Sequence, residues 1–599
     1  MEKNVFTKSE AFNSEYSAAI VRVGELTPIE GSDFLAKTDV FGTQIVVRKD
    51  QVKEGDIMIY AANETQLNEK FLSVNNLYEI SCREKNANKE EVDEIYKPYE
   101  PIKAKADAIR NEAKNVKASM DNLTKKAAKI NKQIKKMTKD LESLDSSSEE
   151  YGIKKAEIDT LQKQADDYTA RAIAKTTTYT NLKKEVEDIV KSGADIIAEV
   201  KKHCGFFNKY GRVRCLTLRN TPSFGVLFAP EDLIKYDSSI TMEDIEAYVG
   251  QEFDTVNGDL FVKVYIPPMP AETQKKSNKN KAQKTIKRFD RMIDGEFFFH
   301  YSTSQLNKDI QYFKPDDIVD ISVKLHGTSC IIGKLHVNQP IKLPFFKRTF
   351  NKFVDFTHLF KSLRITDSEV VYGPVYASRK VIKNKYINQD VTGGYYNADL
   401  WTEYGDIIYP YLDEGMTVYG EICGYLTGEQ SMIQKAYDYG CPEGENIVMF
   451  YRITTTNEDG TKKEWEVSEV LDWTNKLIER MKAEGNDNWK RIHPIDILYH
   501  GTLEELYPDL DTENHWHEAL LERMKNDKEH FGMEEPEPLC KNFPDSPREG
   551  FVLRKAGDTV LRAEKLKSVS FTLKEALVYD SGAVDIEAAE GYGDTTDEA

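Results

Sequence analysis

The chain has 599 residues, 40% of them hydrophobic and 31% charged, with a mean hydropathy of -0.58. That length exceeds what a single core serves, so about two to four domains are expected. No stretch approaches the roughly 20 apolar residues of a membrane helix, and the start, MEKNVFTKSEAFN, lacks a signal-peptide core, so a cytoplasmic protein is expected. The seven cysteines (Cys82, Cys204, Cys215, Cys330, Cys423, Cys441, Cys540) contain no CxxC pair and read as reduced thiols, excluding a disulfide framework or a zinc site. The net charge of -19 argues against a nucleic-acid partner only as a sum. Between Lys275 and Arg291 the run KKSNKNKAQKTIKRFDR carries eight Lys or Arg against one Asp, while acid collects at Glu534 to Glu537 and in GYGDTTDEA. The basic run reads equally as a phosphate contact and as a solvated linker.

In chain order, Ala18 to Val23 (AAIVRV), Thr43 to Val47 (TQIVV) and Glu54 to Tyr60 (EGDIMIY) predict strands, being β-branched runs between turn signals. From Ile102 the apolar positions are Ile102, Ala106, Ile109, Ala113, Val116, Met120, Leu123, Ala127, Ile130, Ile134, Met137, Leu141 and Leu144, in steps alternating four and three. That is the period of a coiled-coil seam. After the polar turn SLDSSSEEYG a second seam runs Ile158, Leu161, Ala165, Tyr168, Ala172, Lys175, Tyr179, Leu182, Val186 and Ile189, with only Lys175 out of character. Together they predict an antiparallel helical hairpin whose first arm is roughly 60 Å long.

Strand-type sequence returns at Gly211 to Leu218 (GRVRCLTL) and Gly225 to Phe228 (GVLF). The β segments flanking the hairpin supply about five strands in all, the count of a small closed barrel of the OB type. The expected organisation is therefore a split OB-like β-barrel at 1–95 and 203–270, a coiled-coil insertion at 96–202 and a basic linker at 271–289. A mixed α/β domain at 290–580 and an acidic tail at 581–599 complete it, with the helices DWTNKLIERMK and HEALLERMK marking an insertion near 455–545.

Five short segments of the α/β part carry chemistry. Val323-Lys324-Leu325-His326-Gly327-Thr328-Ser329 places a lysine beside a glycine at the end of the predicted strand Ile318 to Val323. An amine there can approach a phosphate and attack it. Ala377-Ser378-Arg379-Lys380 ends an apolar run, and Val418-Tyr419-Gly420-Glu421-Ile422 and Glu549-Gly550-Phe551-Val552-Leu553 each put one carboxylate in an apolar strand. Lys565-Leu566-Lys567 projects two ammonium groups from one strand face. Two carboxylates can hold a ribose and a hydrated magnesium ion, and the cations can neutralise a triphosphate. Singly each segment is more often a turn or a solvated strand face; their order is what carries information.

In that order the sequence resembles the covalent nucleotidyltransferases, the polynucleotide ligases and mRNA-capping enzymes. KLHGTS, VYGEI, EGFVL and KLK match their nucleophile motif, Glu-bearing strand, Glu-Gly strand and final Lys-x-Lys. His326 after the lysine is similar to the RNA ligase branch, as is the lead-in FFFHYSTSQLNKDIQYFKPDDIVDIS, and a barrel preceding the transferase domain resembles a nick-sealing group. The resemblance covers 290–575 well, the N-terminal segment loosely and the hairpin not at all. It implies an ATP-grasp-like ligase domain and an ATP-dependent RNA ligase using Mg2+ or Mn2+, with Lys324 forming a lysyl-AMP adduct.

The resemblance further implies that His326 and Gly327 line the nucleotide site. Arg379 contacts phosphate or an RNA end, Glu421 the ribose or metal, and Glu549 the metal, while Lys565 and Lys567 grip phosphates. Phe450 in IVMFYRI stacks on adenine, with Tyr451 as the rival. Ser329 stands where some RNA ligases carry an Asn that touches the 3′-OH. His515 and His517 are read as surface histidines rather than metal ligands. The implied partners are RNA ends in nicked duplex or structured RNA such as tRNA, with no membrane, and a partner or second copy for the coiled coil. The alternatives are a capping-type guanylyltransferase and a non-enzymatic RNA-binding scaffold.

Overall fold

The computed structural model describes residues 4–142, 144, 146–266, 289–357, 365–387, 399–457, 460–558 and 561–580. The expected acidic tail, and the basic linker except for its last residue, lie outside the described residues. The chain divides into two compact units, Met1–Thr65 with Val213–Ala229 and Met242–Ala599, and Gln66–Arg212 with Pro230–Thr241.

The N-terminal part of the first unit is built from β1 (Ala18–Arg22), β2 (Leu35–Val40), β3 (Thr43–Arg48), β4 (Ile57–Ala62), β5 (Gly225–Phe228) and β6 (Glu252–Phe253). An antiparallel sheet runs in the order β5-β4-β1-β6. β2 and β3 form a hairpin whose turn residues Phe41 and Gly42 have φ of 47° and 64°, the left-handed pair that matches strand twist. Ala19, Val21, Ala36, Ile45, Val47 and Tyr60 share one core. Among the described residues the strands do not form the expected closed barrel. The ladders fall into separate open sheets among the described residues, because strands of only two to six residues leave too little ladder to carry the stagger around a circle.

In the second unit, α1 (Glu100–Glu142) and α2 (Glu149–Lys191) are 43 residues each, about 65 Å at 1.5 Å per residue. They run antiparallel: Thr176 Oγ1 lies 3.2 Å from Met120 Sδ, and Lys126 lies over the Tyr168 ring further along. Ala106, Ala113, Leu123, Ala127, Ile130, Ala165 and Ala172 are buried, and the other seam positions are part-buried while most of the remaining surface is exposed. Lys175, the misfit, lays its stem in the seam and is part-buried too. Ser148 caps α2 by accepting from the Tyr151 N–H at 3.2 Å.

The α/β part of the first unit comprises β7 (Ser304–Gln305), β8 (Ile318–Val323), β9 (Thr328–Pro340), β10 (Ser368–Ala377), β11 (Met416–Gly424) and β12 (Asn446–Thr456). β13 (Lys462–Glu464), β14 (Ile492–Pro494), β15 (Ile497–Thr502), β16 (Gly550–Lys555) and β17 (Ala563–Lys567) follow. One sheet runs β7-β17-β16-β8-β15, the other β10-β9-β11-β12-β13, with β14 also on β12. The helices α3 (Leu400–Ile408) and α4 (Val467–Ala483) cover the second sheet around Trp401, Tyr404, Val418, Phe450 and Leu477. α5 (Trp516–Asn526) covers the first around Val319, Ile321, Leu520, Met524 and Phe551, and α6 (Val569–Asp580) follows β17 directly. The two helices expected near 455–545 are α4 and α5. Their segment is woven into the domain, because β13, β14 and β15 are strands of its two sheets. Among the described residues no helix is long and apolar enough to cross a membrane, and none of the seven cysteines is in a disulfide.

Candidate active site

Lys324 follows β8 directly, in the short link to β9. Its N–H donates to the Gly550 carbonyl at 3.0 Å, fixing the link to the start of β16. Gly327 has no room for a side chain: a Cβ would meet the Ile422 carbonyl at 2.3 Å and Glu421 Cγ at 2.9 Å. The Gly327 N–H donates to Glu421 Oε1 at 3.1 Å, and the His326 N–H to the Tyr439 hydroxyl at 2.8 Å. The His326 ring stands edge-on to Tyr437 and Phe571, 5.0 Å from each. The loop after the lysine is thus clamped by β11, by Tyr439 and by α6.

A cavity of about 300 Å³ opens over this link, lined by Lys324, His326, Gly327, Arg379, Lys380, Glu421, Tyr451, Arg452, Glu549, Arg554, Lys565 and Lys567, together with Glu15, Tyr16, His300 and Glu575. Every charged residue named in the five sequence segments therefore reaches one pocket. The register explains it. Gly550 pairs with Lys567 and Val552 with Lys565, so the two lysines share the face of β17 above Glu549, while Glu421 sits opposite Ser329 between β11 and β9.

Charge is balanced locally. Glu549 is only 3% exposed; its Oε1 lies 2.7 Å from Lys324 Nζ and 3.9 Å from Lys567 Nζ, and its Oε2 has no hydrogen-bond partner among the described residues. Lys567 also pairs with Glu575 of α6 at 3.0 Å, and Lys565 with Glu15. Burial by itself lowers a lysine, but Glu575 and Glu549 beside Lys567 hold its ammonium above the ordinary range. Burial correspondingly works to raise Glu575, and Lys567 overrides it so that the carboxyl titrates below its usual 4.5. The Tyr16 phenol is raised by burial, Lys567 opposing.

One assignment changes. Phe450 is fully buried in the core under α4, edge-on to Trp473, so it does not face the pocket. Tyr451 does. The reason is a register shift: Gly420 pairs with Phe450 but Tyr419 with Arg452, leaving Tyr451 as the extra residue of a bulge, which turns both Tyr451 and Arg452 to the cavity. Ser329 is 2% exposed within β9, its carbonyl accepting from Trp401 Nε1 at 2.8 Å, and is not among the pocket residues. His517 Nε2 is 2.9 Å from the Phe313 carbonyl, and His515 is the residue that precedes α5. Glu15, Tyr16, Tyr439 and Glu575 were not expected at the site; they come from distant segments with no motif of their own. Arg452 had a weak signal in its adjacency to Tyr451.

Among the described residues no three His, Cys, Asp or Glu side chains cluster to cage a metal. A divalent ion that keeps water and takes substrate phosphate oxygens needs only one or two carboxylates, and Glu549, with its unbonded buried oxygen, and Glu421 on the same cavity fit that requirement.

No known family profile and no curated protein sequence matches the chain. Solved structures similar to it include those of a Naegleria gruberi RNA ligase. A mutant with AMP and Mn has a TM-score of 0.43 and 12% identity, with 93% of this chain and 98% of that chain covered. Another mutant with ATP and Mn has a TM-score of 0.42 at 13% identity and the same coverage. The enzyme with PPi has a TM-score of 0.40 and 12% identity over 93% and 98%.

Proposed function

We propose that the chain is an ATP-dependent RNA ligase that joins 3′-OH and 5′-phosphate ends through a lysyl-AMP intermediate on Lys324. One observation carries the reading. A lysine at a strand end touches a buried carboxylate, Glu549, at 2.7 Å, inside a cavity that also gathers Glu421, Arg379, Tyr451 and the Lys565–Lys567 pair. In the first step the neutral Lys324 amine attacks the α-phosphorus of ATP in line with the departing pyrophosphate. An N–P bond forms as the bridging P–O bond breaks; Glu549 Oε1 is placed to have taken the ammonium proton of the resting Lys324, and the proton that nitrogen sheds on bond formation leaves with the pyrophosphate. Lys565 and Lys567 neutralise the leaving pyrophosphate, and Tyr451 stacks on the base. The adenylate then passes to a 5′-phosphate, releasing the lysine, and the 3′-OH displaces AMP. Magnesium or manganese at Glu421 and Glu549 would supply charge neutralisation on the phosphates.

The choice of RNA is supported by the Lys-x-His-Gly form of the nucleophile motif. A nicked duplex or structured RNA such as tRNA is the proposed substrate, met in the cytoplasm. The small open sheets of the N-terminal segment act as the OB-like accessory module, which brings Glu15 and Tyr16 to the cavity wall. The intact charged set speaks against a scaffold that has lost its chemistry.

The test is incubation with ATP or GTP labelled at the α-phosphate, followed by denaturing electrophoresis. The expected result is a label from ATP alone that is absent in Lys324→Ala. A label from GTP alone assigns the capping-type reaction instead, and sealing retained by Lys324→Ala removes the mechanism.

A further inference from the structure

The hairpin is outside the catalytic reading, and its first arm is not an ordinary solvated helix. From Lys125 to Lys139, α1 carries Lys125, Lys126, Lys129, Lys132, Lys135, Lys136 and Lys139 and no acidic residue. All seven are exposed, and none is in an ion pair among the described residues; Lys126 alone lies over a ring, that of Tyr168. Five of them, Lys125, Lys129, Lys132, Lys136 and Lys139, step by four and three, each two residues past a seam position (Leu123, Ala127, Ile130, Ile134, Met137). Two residues is about 200° around a helix, so the five lie in one straight row on the face turned away from α2.

The row is about 21 Å long, with steps of about 4.5 to 6 Å. The equivalent outward row on α2 is mixed: Thr160, Lys163, Asp167, Ala170 and Ala174. Hairpin stability does not require such a row, since like charges at i,i+4 destabilise a helix. On a chain of net charge -19, an unbroken cationic row is the kind of local field that orients an approaching polyanion. Its pitch is on the scale at which successive phosphates follow one another along a nucleic-acid strand.

We infer that this row is a docking edge for the phosphate backbone of duplex RNA, used to hold the substrate rather than to react with it. The choice of RNA rests on the ligase reading; the polyanion contact rests on the row. A straight, rigid edge of evenly spaced ammonium groups suits a regular duplex, and it provides no base-reading side chains, so recognition there is independent of sequence.

The test uses the full chain with Lys125, Lys129, Lys132, Lys136 and Lys139 all changed to Gln. A control changes five exposed lysines of the same hairpin that are off the row, Lys105, Lys163, Lys183, Lys184 and Lys191, to Gln. Affinity for a blunt-ended RNA duplex is measured against salt concentration, and self-adenylylation is measured in the same preparations. The row variant is expected to bind at least about tenfold more weakly, with the log–log salt slope reduced by roughly 0.9 for each phosphate that is no longer neutralised. It should keep wild-type labelling from ATP, and the control should keep most of its affinity. Unchanged duplex binding overturns the inference and leaves an acidic protein as the occupant to seek. An equal loss in the control also overturns it, because net charge alone then explains the effect. Absence of labelling in every preparation counts against the ligase reading and leaves the binding result to stand by itself.

Discussion

Gly550→Ala is the sharpest test of how the site is built. Gly550 has φ of +140° and lies in register with Lys567, and a Cβ placed there sits 2.0 Å from the Leu566 carbonyl. Ordinary contact begins at 3.4 Å, so β17 has to yield by about 1.4 Å at the position that carries Lys567. Backbone strain and overpacking together cost roughly 2 to 5 kcal/mol. The displacement acts on catalysis separately, since about 1 Å of misplacement is worth on the order of a hundredfold in rate. The assay is single-turnover formation of the labelled protein from ATP, with a thermal melt to confirm folding. Gly557→Ala is the control. It shares a positive φ, of +79°, but its Cβ would meet nothing within 4 Å, so it should lose a little stability and keep its rate. A folded Gly550→Ala protein labelled at the wild-type rate would refute the claim that this glycine sets the distance between Lys324 and the paired lysines.

Phe450→Ala should cost about 3 to 5 kcal/mol in denaturant unfolding, as core truncations of Phe do. Tyr451→Ala should cost less stability and instead raise the KM for ATP; the reverse outcome would restore Phe450 to the nucleotide. Tyr439→Phe removes the acceptor of the His326 N–H, so a loss of about 1 to 2 kcal/mol and slower adduct formation are expected, measured by denaturation and by burst kinetics. Glu575 is a carboxyl held below its usual 4.5 by Lys567 against burial. Its contribution to stability is therefore complete above 4.5 and is lost as pH falls through its lower folded value. Glu575→Gln should melt lower than wild type at neutral pH and converge with it in acid; a pH-independent difference between the two melting curves would count against that pairing.

The hairpin and the charged set of the cavity were legible in the sequence for the same reason, because both are written in local patterns. A seam repeats every seven residues whatever it packs against, so Leu123, Ala127 and Ile130 could be placed before any fold was known, and they are buried. Lys324, Glu421, Glu549 and Lys565-x-Lys567 could be picked out because each stands on or beside a short strand whose pattern is written in its neighbours, and all of them line one cavity. The register of strand on strand is not written there. One extra residue in β12 moved the pocket aromatic from Phe450 to Tyr451 and brought Arg452 with it. Nor does sequence reveal that Glu15 meets Lys565, more than 500 residues away, or that Glu575 of α6 pairs with Lys567. Nor does sequence decide whether the N-terminal strands close into a barrel, because strand count alone does not fix closure; tilt and stagger enter as well. Periodicity and motif picked out the charged residues that gather at one cavity. Tertiary packing decided which carboxylate each lysine faces, because a buried charge takes its partner from whatever segment folds against it.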